Sequence, residues 1–92
     1  MGNKICIVTG ASRGMGRGIA LVLAKEEGCR VYATARDGEA LQALSKEVSD
    51  TNGEGSVVPC VLDQNDDQAV EAFVKDFASK ENRVDLLTVL HL

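Results

Sequence analysis

The glycine-rich stretch Thr9-Gly10-Ala11-Ser12-Arg13-Gly14-Met15-Gly16 constrains the fold of this chain more than any other segment. The residues directly before it, Ile5-Cys6-Ile7-Val8, form an apolar, β-branched run that is typical of a central parallel strand buried on both faces. From Met15 onward apolar residues recur at helical spacing, and Gly28 stands where a helix C-terminal cap is expected. The predicted order is therefore strand, glycine turn, helix.

This order of elements suits a phosphate ligand. The first turn of a helix leaves N–H groups unpaired and carries a partial positive charge. A Cβ atom at Gly10, Gly14 or Gly16 would obstruct the turn or hold a pyrophosphate away from the backbone. The alternative is a glycine turn without a ligand, but three spaced glycines exceed what such a turn needs. The stretch therefore predicts a diphosphate-binding turn.

The glycine spacing resembles that of a known protein family. The pattern is T-G-x-x-x-G-x-G and not G-x-G-x-x-G, because residue 19 is Ile. The segment from Val8 to Gly16 closely resembles the cofactor turn of the short-chain dehydrogenase/reductase family, and the resemblance extends to Leu87. It implies an α/β fold, a Rossmann-like doubly wound parallel sheet, of which residues 1–92 form the N-terminal half. It also implies that the pyrophosphate is surrounded by Gly10, Ser12, Arg13, Gly14, Met15 and Gly16.

The remaining sequence predicts alternating strands and helices. Strands are predicted at 30–35 and 56–62 and from about 84, and helices at about 39–49 and 66–80. Pro59 lies in the third strand and cannot donate a hydrogen bond to a neighbouring strand, so it belongs at a sheet edge. The strand order 3-2-1-4 of a doubly wound half-domain puts the third strand at that edge.

The end of the second strand bears on cofactor choice. NAD-selective members of the family have an acidic residue there, whereas this chain has Ala35 followed by Arg36. Basic residues at the positions of Arg13 and Arg36 accompany NADP preference in the family, because a guanidinium can hold a 2′-phosphate with two charge-assisted hydrogen bonds. The resemblance thus favours NADP (NADPH) over NAD. The alternative is that both arginines are solvated, and Asp37 could serve the ribose, although a helix N-cap is favoured for it.

The end of the third strand carries a second group of candidates. Asp63 stands just past this strand, where ligands sit in open α/β sheets. The resemblance, carried by Cys60-Val61-Leu62-Asp63, implies that Asp63 accepts a hydrogen bond from the adenine amino group and that Leu62 lines the adenine pocket. A helix cap or a loop carboxylate remains the alternative for Asp63, because carboxylates are abundant where the next helix opens.

No catalytic residue is assigned. The family's Asn-Asn-Ala-Gly motif should follow the fourth strand, but residues 88–92 are Thr-Val-Leu-His-Leu, and the catalytic Asn, Ser and Tyr-x-x-x-Lys have no match. Tyr32 has Arg36 four residues on, and His91 has no positioned partner. We therefore expect this chain to be the cofactor-binding part of an oxidoreductase that transfers hydride. The chain by itself is expected to be inactive. A non-catalytic nucleotide-binding or dimerising module is the alternative. A methyltransferase-like cofactor domain is disfavoured, because such a domain usually has an acidic residue at the end of its second strand, where this chain has Ala35.

Composition excludes several other classes. A net charge of −4 and 3% aromatic residues give no surface for nucleic acid. Three scattered cysteines predict neither a disulfide framework nor a zinc site, and no metal site is expected. The absence of a long apolar run predicts no membrane span, so the cytoplasm is the expected location. The apolar fourth strand is expected to form an exposed edge through which the chain could oligomerise or aggregate.

Overall fold

The computed structural model describes residues 4–12, 14–51 and 53–88. The four strands are β1 (Ile5–Thr9), β2 (Arg30–Ala35), β3 (Ser56–Val61) and β4 (Leu86–Thr88). They form one parallel sheet in the order β3-β2-β1-β4, which confirms the predicted Rossmann-like topology. Three α-helices follow the first three strands: α1 (Gly14–Leu21), α2 (Gly38–Ser49) and α3 (Asp67–Lys80).

The strand β1 is the centre of the sheet. Its residue Ile7 lies opposite Tyr32 of β2 on one side and opposite Leu87 of β4 on the other. Ile5, Cys6, Ile7 and Val8 are all buried, as the apolar run predicted for a strand covered on both faces. The strand β3 lies at an edge of the sheet, and no other described strand pairs with its outer side. Pro59 has no N–H, so its place in this strand costs no hydrogen bond on that side.

Alternate side chains of the sheet feed two separate apolar clusters. The larger cluster lies under α1 and α2 and includes Cys6, Val8, Val31, Leu41 and Leu44. The smaller cluster consists of Ile5, Ile7, Tyr32 and Phe77, with Phe73 packed against it. Because successive strand residues point to opposite faces, β1 contributes two of its residues to each cluster.

Both later helices begin at an aspartate cap. The side chain of Asp37 accepts a hydrogen bond from Ala40 N at 3.1 Å, so Asp37 is the N-cap of α2, as predicted. The side chain of Asp66 accepts from Gln68 N and Ala69 N, both at 3.1 Å. The helix α3 therefore begins at Asp67, one residue later than predicted.

The first helix is less regular than the sequence predicts. It is α-helical to Leu21 and then continues as a π-helical segment, Val22–Glu26, in which Glu27 N donates to Val22 O at 3.3 Å. Gly28, at a φ of 68°, ends this segment in the left-handed conformation, as its predicted capping role requires. Val22, the first residue of this segment, is 53% exposed.

The face of α3 that packs on the sheet is narrow. Phe77 is buried and meets the ring of Tyr32 edge to face, with the centroids 4.8 Å apart. Val74, three residues earlier in the same helix, is 54% exposed. One row of aromatic side chains thus attaches α3 to the sheet.

A polar cluster fixes the end of α3 to β2. Glu81 Oε2 accepts from Tyr32 OH at 2.6 Å and from Arg30 Nη1 at 2.8 Å. These donors, Tyr32 first, lower the pKa of Glu81. Burial, followed by the hydrogen bond to Glu81, raises the pKa of Tyr32 from 10.0 to about 12. The cluster therefore holds Tyr32 in its neutral form.

The ionisation of Tyr32 can be measured directly, because the chain has one Tyr and no Trp. The tyrosinate absorbance of the folded chain should rise with a midpoint at about 12, against about 10 in denaturant. Since the unfolded chain loses this proton first, stability should fall as the pH rises through that interval. Glu81→Gln should bring the folded midpoint partly back toward the denatured one. A midpoint near that of the denatured chain, with circular dichroism still native, would contradict the cluster.

The loop after α2 makes a close contact that the sequence analysis did not assign. A Cβ atom on Gly55 would lie 1.9 Å from the carbonyl oxygen of Ala24, in the π-helical segment. No such atom can be accommodated without moving one backbone away from the other. Gly55 is thus required for the loop to pack against the first helix.

Gly55→Ala should destabilise the chain by about 2 kcal/mol, because overpacking of this kind forces backbone shifts. Gly18→Ala is the matched control: an added Cβ there meets no atom within 4 Å, and alanine favours a helix by up to about 1 kcal/mol. Urea unfolding of the two variants and the parent chain measures both effects. A Gly55→Ala variant as stable as the parent would contradict the close contact.

Candidate cofactor-binding site

A cleft of about 350 Å³ opens at the carboxyl ends of β1, β2 and β3. The three strands are parallel, so the loops that follow them meet at the same edge of the sheet. The cleft is lined by residues of these loops and strand ends: Gly10, Ser12, Thr34, Ala35, Arg36, Asp37, Leu62, Asp63, Gln64 and Asn65.

The glycine turn forms one wall of this cleft. Gly10 and Gly14 have φ values of 63° and 62°, in the left-handed region where a residue with a Cβ is strained. A Cβ on Gly14 would meet no atom beyond its own segment within 4 Å, so there is open space beside this residue. Ala11 N donates to Thr34 O at 3.1 Å and fixes the turn to β2. The amides that remain for a ligand are therefore those of the first turn of α1.

The predicted pyrophosphate residues fall into two groups. Gly10 and Ser12 line the cleft. Gly14, Met15 and Gly16 form the first turn of α1 and are not part of the lining; Gly16 is buried and Met15 is 73% exposed. Arg13, predicted to contact the cofactor, lies outside the described residues.

Arg36 supplies positive charge to the cleft. It is the first residue after β2, and its side chain is exposed. It forms no ion pair with any residue in the described ranges 4–12, 14–51 and 53–88, although Asp37 and Asp63 line the same cleft. A guanidinium that is not already engaged can bind an incoming anion at a lower desolvation cost.

Leu62 and Asp63 line the side of the cleft that follows β3. Leu62 N donates to Ala35 O at 2.8 Å, which holds this half-buried segment beside the end of β2. Asp63 Oδ1 accepts from Asn65 N at 2.9 Å, so the carboxylate is fixed by its own loop. The helix-cap alternative for Asp63 is wrong, because Asp66 caps α3.

Three of the lining residues, Thr34, Gln64 and Asn65, were not predicted to belong to the site. Thr34 is 2% exposed and lies near the end of β2, and the other two follow β3. All three stand within four residues of a strand's carboxyl end, which is the general location of ligands in such sheets. Placement alone could have identified them.

Other kinds of site are not formed by the described part of the chain. Within it, no group of three or more His, Cys, Asp and Glu side chains is placed to hold a metal ion. Tyr32 does not line the cleft, and its hydroxyl is bound to Glu81. The cleft brings together an apolar side chain, Leu62, with one cation, Arg36, and carboxylates such as that of Asp63.

No helix among the described residues has the length and apolar character needed to cross a membrane.

Comparison with curated proteins links the chain to dehydrogenases. It is 37% identical over 84 residues to human retinol dehydrogenase 11, and this alignment covers 91% of this chain and 26% of that protein. It is 38% identical over 88 residues to human dehydrogenase/reductase SDR family member 1, and this alignment covers 95% of this chain and 27% of that protein. The chain thus spans about a quarter of the length of these relatives.

Solved structures agree with this result. A metagenomic short-chain oxidoreductase in complex with NADP superposes with a TM-score of 0.83 at 36% identity, over 91% of this chain and 37% of that one. A β-ketoacyl-[ACP] reductase (FabG) from Bacteroides thetaiotaomicron superposes with a TM-score of 0.89 at 30% identity, over 99% of this chain and 41% of that one. The family model described as short chain dehydrogenase matches residues 4–89. The chain, from its glycine turn to its fourth strand, belongs to the short-chain dehydrogenase/reductase family of oxidoreductases.

Proposed function

We propose that this chain is the cofactor-binding part of an NADP-dependent short-chain oxidoreductase, and that NADP occupies the cleft above β1, β2 and β3. The observation that carries the proposal is Arg36, an exposed cation that lines the cleft and is not ion-paired within the described residues. Two residues of the glycine turn, Gly10 and Ser12, line the same cleft. A relative of known structure was solved in complex with NADP, which supports the same choice of cofactor.

The pyrophosphate would be held by the amino end of α1. Backbone amides of its first turn would donate to the phosphate oxygens, and the helix dipole favours negative charge there. Gly10 and Ser12 allow close approach on the cleft side, and Gly14 leaves open space at the helix end. We assign to this group Gly10, Ser12, Arg13, Gly14, Met15 and Gly16.

The adenosine end would lie between the loops after β2 and β3. Arg36, with Arg13, would bind the 2′-phosphate through charge-assisted hydrogen bonds. Leu62 offers an apolar surface to the adenine ring, and Asp63 offers a carboxylate to its amino group. Because the loop amide of Asn65 holds the carboxylate of Asp63 in place, little side-chain entropy would be lost on binding.

The chain's own contribution to chemistry is orientation. The bound dinucleotide would supply the hydride carrier, and the cleft residues would set its position at the sheet edge. The printed sequence contains no Tyr-x-x-x-Lys, since Tyr32 is followed four residues later by Arg36. We therefore propose that these residues bind the dinucleotide without reducing a carbonyl themselves, and that hydride transfer belongs to the whole enzyme.

Replacing Arg36 with alanine tests the assignment of the 2′-phosphate site. The variant should bind NADPH about 10- to 100-fold more weakly, because a hydrogen bond to a charged group is lost. Its affinity for NADH should change less than about twofold, since NADH has no 2′-phosphate. Calorimetric titration of both dinucleotides measures the ratio.

Arg30→Ala is the matched control. Arg30 is the first residue of β2, at the end opposite to Arg36, and it does not line the cleft. It should leave the NADPH to NADH ratio unchanged. A parent chain that prefers NADH, or an Arg36→Ala variant that keeps the parent ratio, would overturn the NADP assignment.

We also propose that the chain self-associates through β4. This strand pairs with β1 on one side, and no other described strand pairs with it on the other. Leu86 and Leu87 are 43% and 57% exposed. An apolar edge strand with unpaired backbone groups is a template for pairing with a second chain.

Leu87→Lys should shift the chain toward monomer, because a charged side chain on an edge strand opposes edge-to-edge pairing. Sedimentation velocity over a range of concentrations measures the shift. Val22→Lys is the control: Val22 is 53% exposed but lies in the π-helical segment, away from the sheet edge. A parent chain that sediments as a monomer at every concentration would contradict association.

A further inference from the structure

The first turn of α1 has a sequence that forms a helix poorly. Gly14, Gly16 and Gly18 are three of the first five residues of α1, and each glycine disfavours a helix relative to alanine. The first turn of α1 also contains no acidic residue, whereas α2 and α3 have Glu39 and Asp67 there. The turn assigned to the pyrophosphate therefore depends on support from the rest of the fold.

An ion pair from the neighbouring helix supplies such support. Arg17, the fourth residue of α1, donates from Nη2 to Glu47 Oε1 in α2 at 2.6 Å. The hydrogen bond from Arg17 is the main cause that lowers the pKa of Glu47, so the carboxylate is charged at neutral pH. The side chains are 34% and 42% exposed, so solvent screens the pair and its effect is modest. A charge-assisted hydrogen bond thus links the first turn of α1 to α2.

The π-helical segment brings a second cation to the same carboxylate. Lys25 Nζ lies 3.9 Å from Glu47 Oε2. In a regular α-helix the side chains of Arg17 and Lys25 would stand about 80° apart around the axis. A π-helical turn contains more residues than an α-helical one, so the segment Val22–Glu26 reduces this angle. Glu47 therefore contacts the first helix at two places, one of them in its first turn.

We propose that Glu47 is a positioning residue for the cofactor, which acts through Arg17 to hold the first turn of α1 in the helical form that binds the pyrophosphate. The inference rests on the proposed function, since it assumes that the diphosphate binds at this turn. Glu47 does not line the cleft, so it acts without touching the ligand. When the binding-competent form is only partly populated, the apparent affinity falls by the same fraction. Loss of the ion pair should thus weaken every ligand that uses this turn.

The test is Glu47→Gln, which removes the charge and keeps the size of the side chain. The variant should bind NADPH and NADH about threefold more weakly, both by the same factor, as expected for a partly exposed ion pair. Adenosine 2′-monophosphate has no diphosphate and should bind the variant and the parent equally. A general loss of structure would weaken all three ligands, so the difference identifies a positioning role. Isothermal calorimetry measures these affinities without catalysis.

Hydrogen exchange measures the effect of the ion pair without a ligand. In an α-helix the amides of residues 18–20 bond to the carbonyls of residues 14–16, so their exchange reports whether the first turn is helical. Exchange at residues 18–20 should be about threefold faster in Glu47→Gln than in the parent. Exchange in α3 should be unchanged.

Glu71→Gln is the matched control. It makes the same change of charge, but Glu71 pairs with Lys75 at 3.1 Å within α3 and has no part in holding α1. This variant should keep the parent affinities and the parent exchange at residues 18–20. Glu47→Ala replaces the glutamine variant if circular dichroism shows that variant unfolded, because alanine favours a helix.

The outcomes separate the two proposals. If the parent chain binds no dinucleotide, the proposed function and this inference both fail. If the parent prefers NADPH but loss of the Glu47 charge leaves both dinucleotide affinities unchanged, the inference alone is overturned. Tighter binding would also overturn it, since Glu47 would then be withholding Arg17 from the ligand. Equal weakening of NADPH and NADH, with adenosine 2′-monophosphate and Glu71→Gln unchanged, supports the inference.

Discussion

The parallel pairing of β1 with strands on both sides is the constraint on which the rest of the structure depends. Ile7 stands opposite Tyr32 in β2 and opposite Leu87 in β4, all running the same way. Parallel neighbours cannot be joined by a tight turn, so each strand must be followed by a crossover, here a helix. The same geometry brings the carboxyl ends of β1, β2 and β3 to one edge, where their loops enclose the cleft.

The two ends of the sheet consequently have different character. At the amino end polar groups are matched within the protein: Ile5 N donates to Asp85 Oδ2 at 2.7 Å, and Glu81 accepts from Arg30 and Tyr32. At the carboxyl end Arg36 forms no ion pair with the part of the chain that the structure describes. A fold that satisfies its polar groups at one end and leaves a cation and helix amides available at the other is suited to binding an anionic ligand there.

Much of the site could be predicted because it depends on local sequence. Gly10 and Ser12 follow directly from the glycine turn, and Arg36, Leu62 and Asp63 from the ends of predicted strands; all five line the cleft. Three other lining residues, Thr34, Gln64 and Asn65, were given no role there. Thr34 lines the cleft from within β2, and Asp37, for which a capping role was favoured, both caps α2 and lines the cleft.

The sequence by itself determined the element order, the capping of α2 by Asp37 and the edge position of the strand that contains Pro59. These depend on the preferences of a few adjacent residues, which act in any context. Only the tertiary structure decided that Gly55 lies against the carbonyl of Ala24, and that one face of α3 leaves Val74 in solvent. Such features depend on distances between segments far apart in the chain, and these distances are set when the helices pack on the sheet, not by local preference.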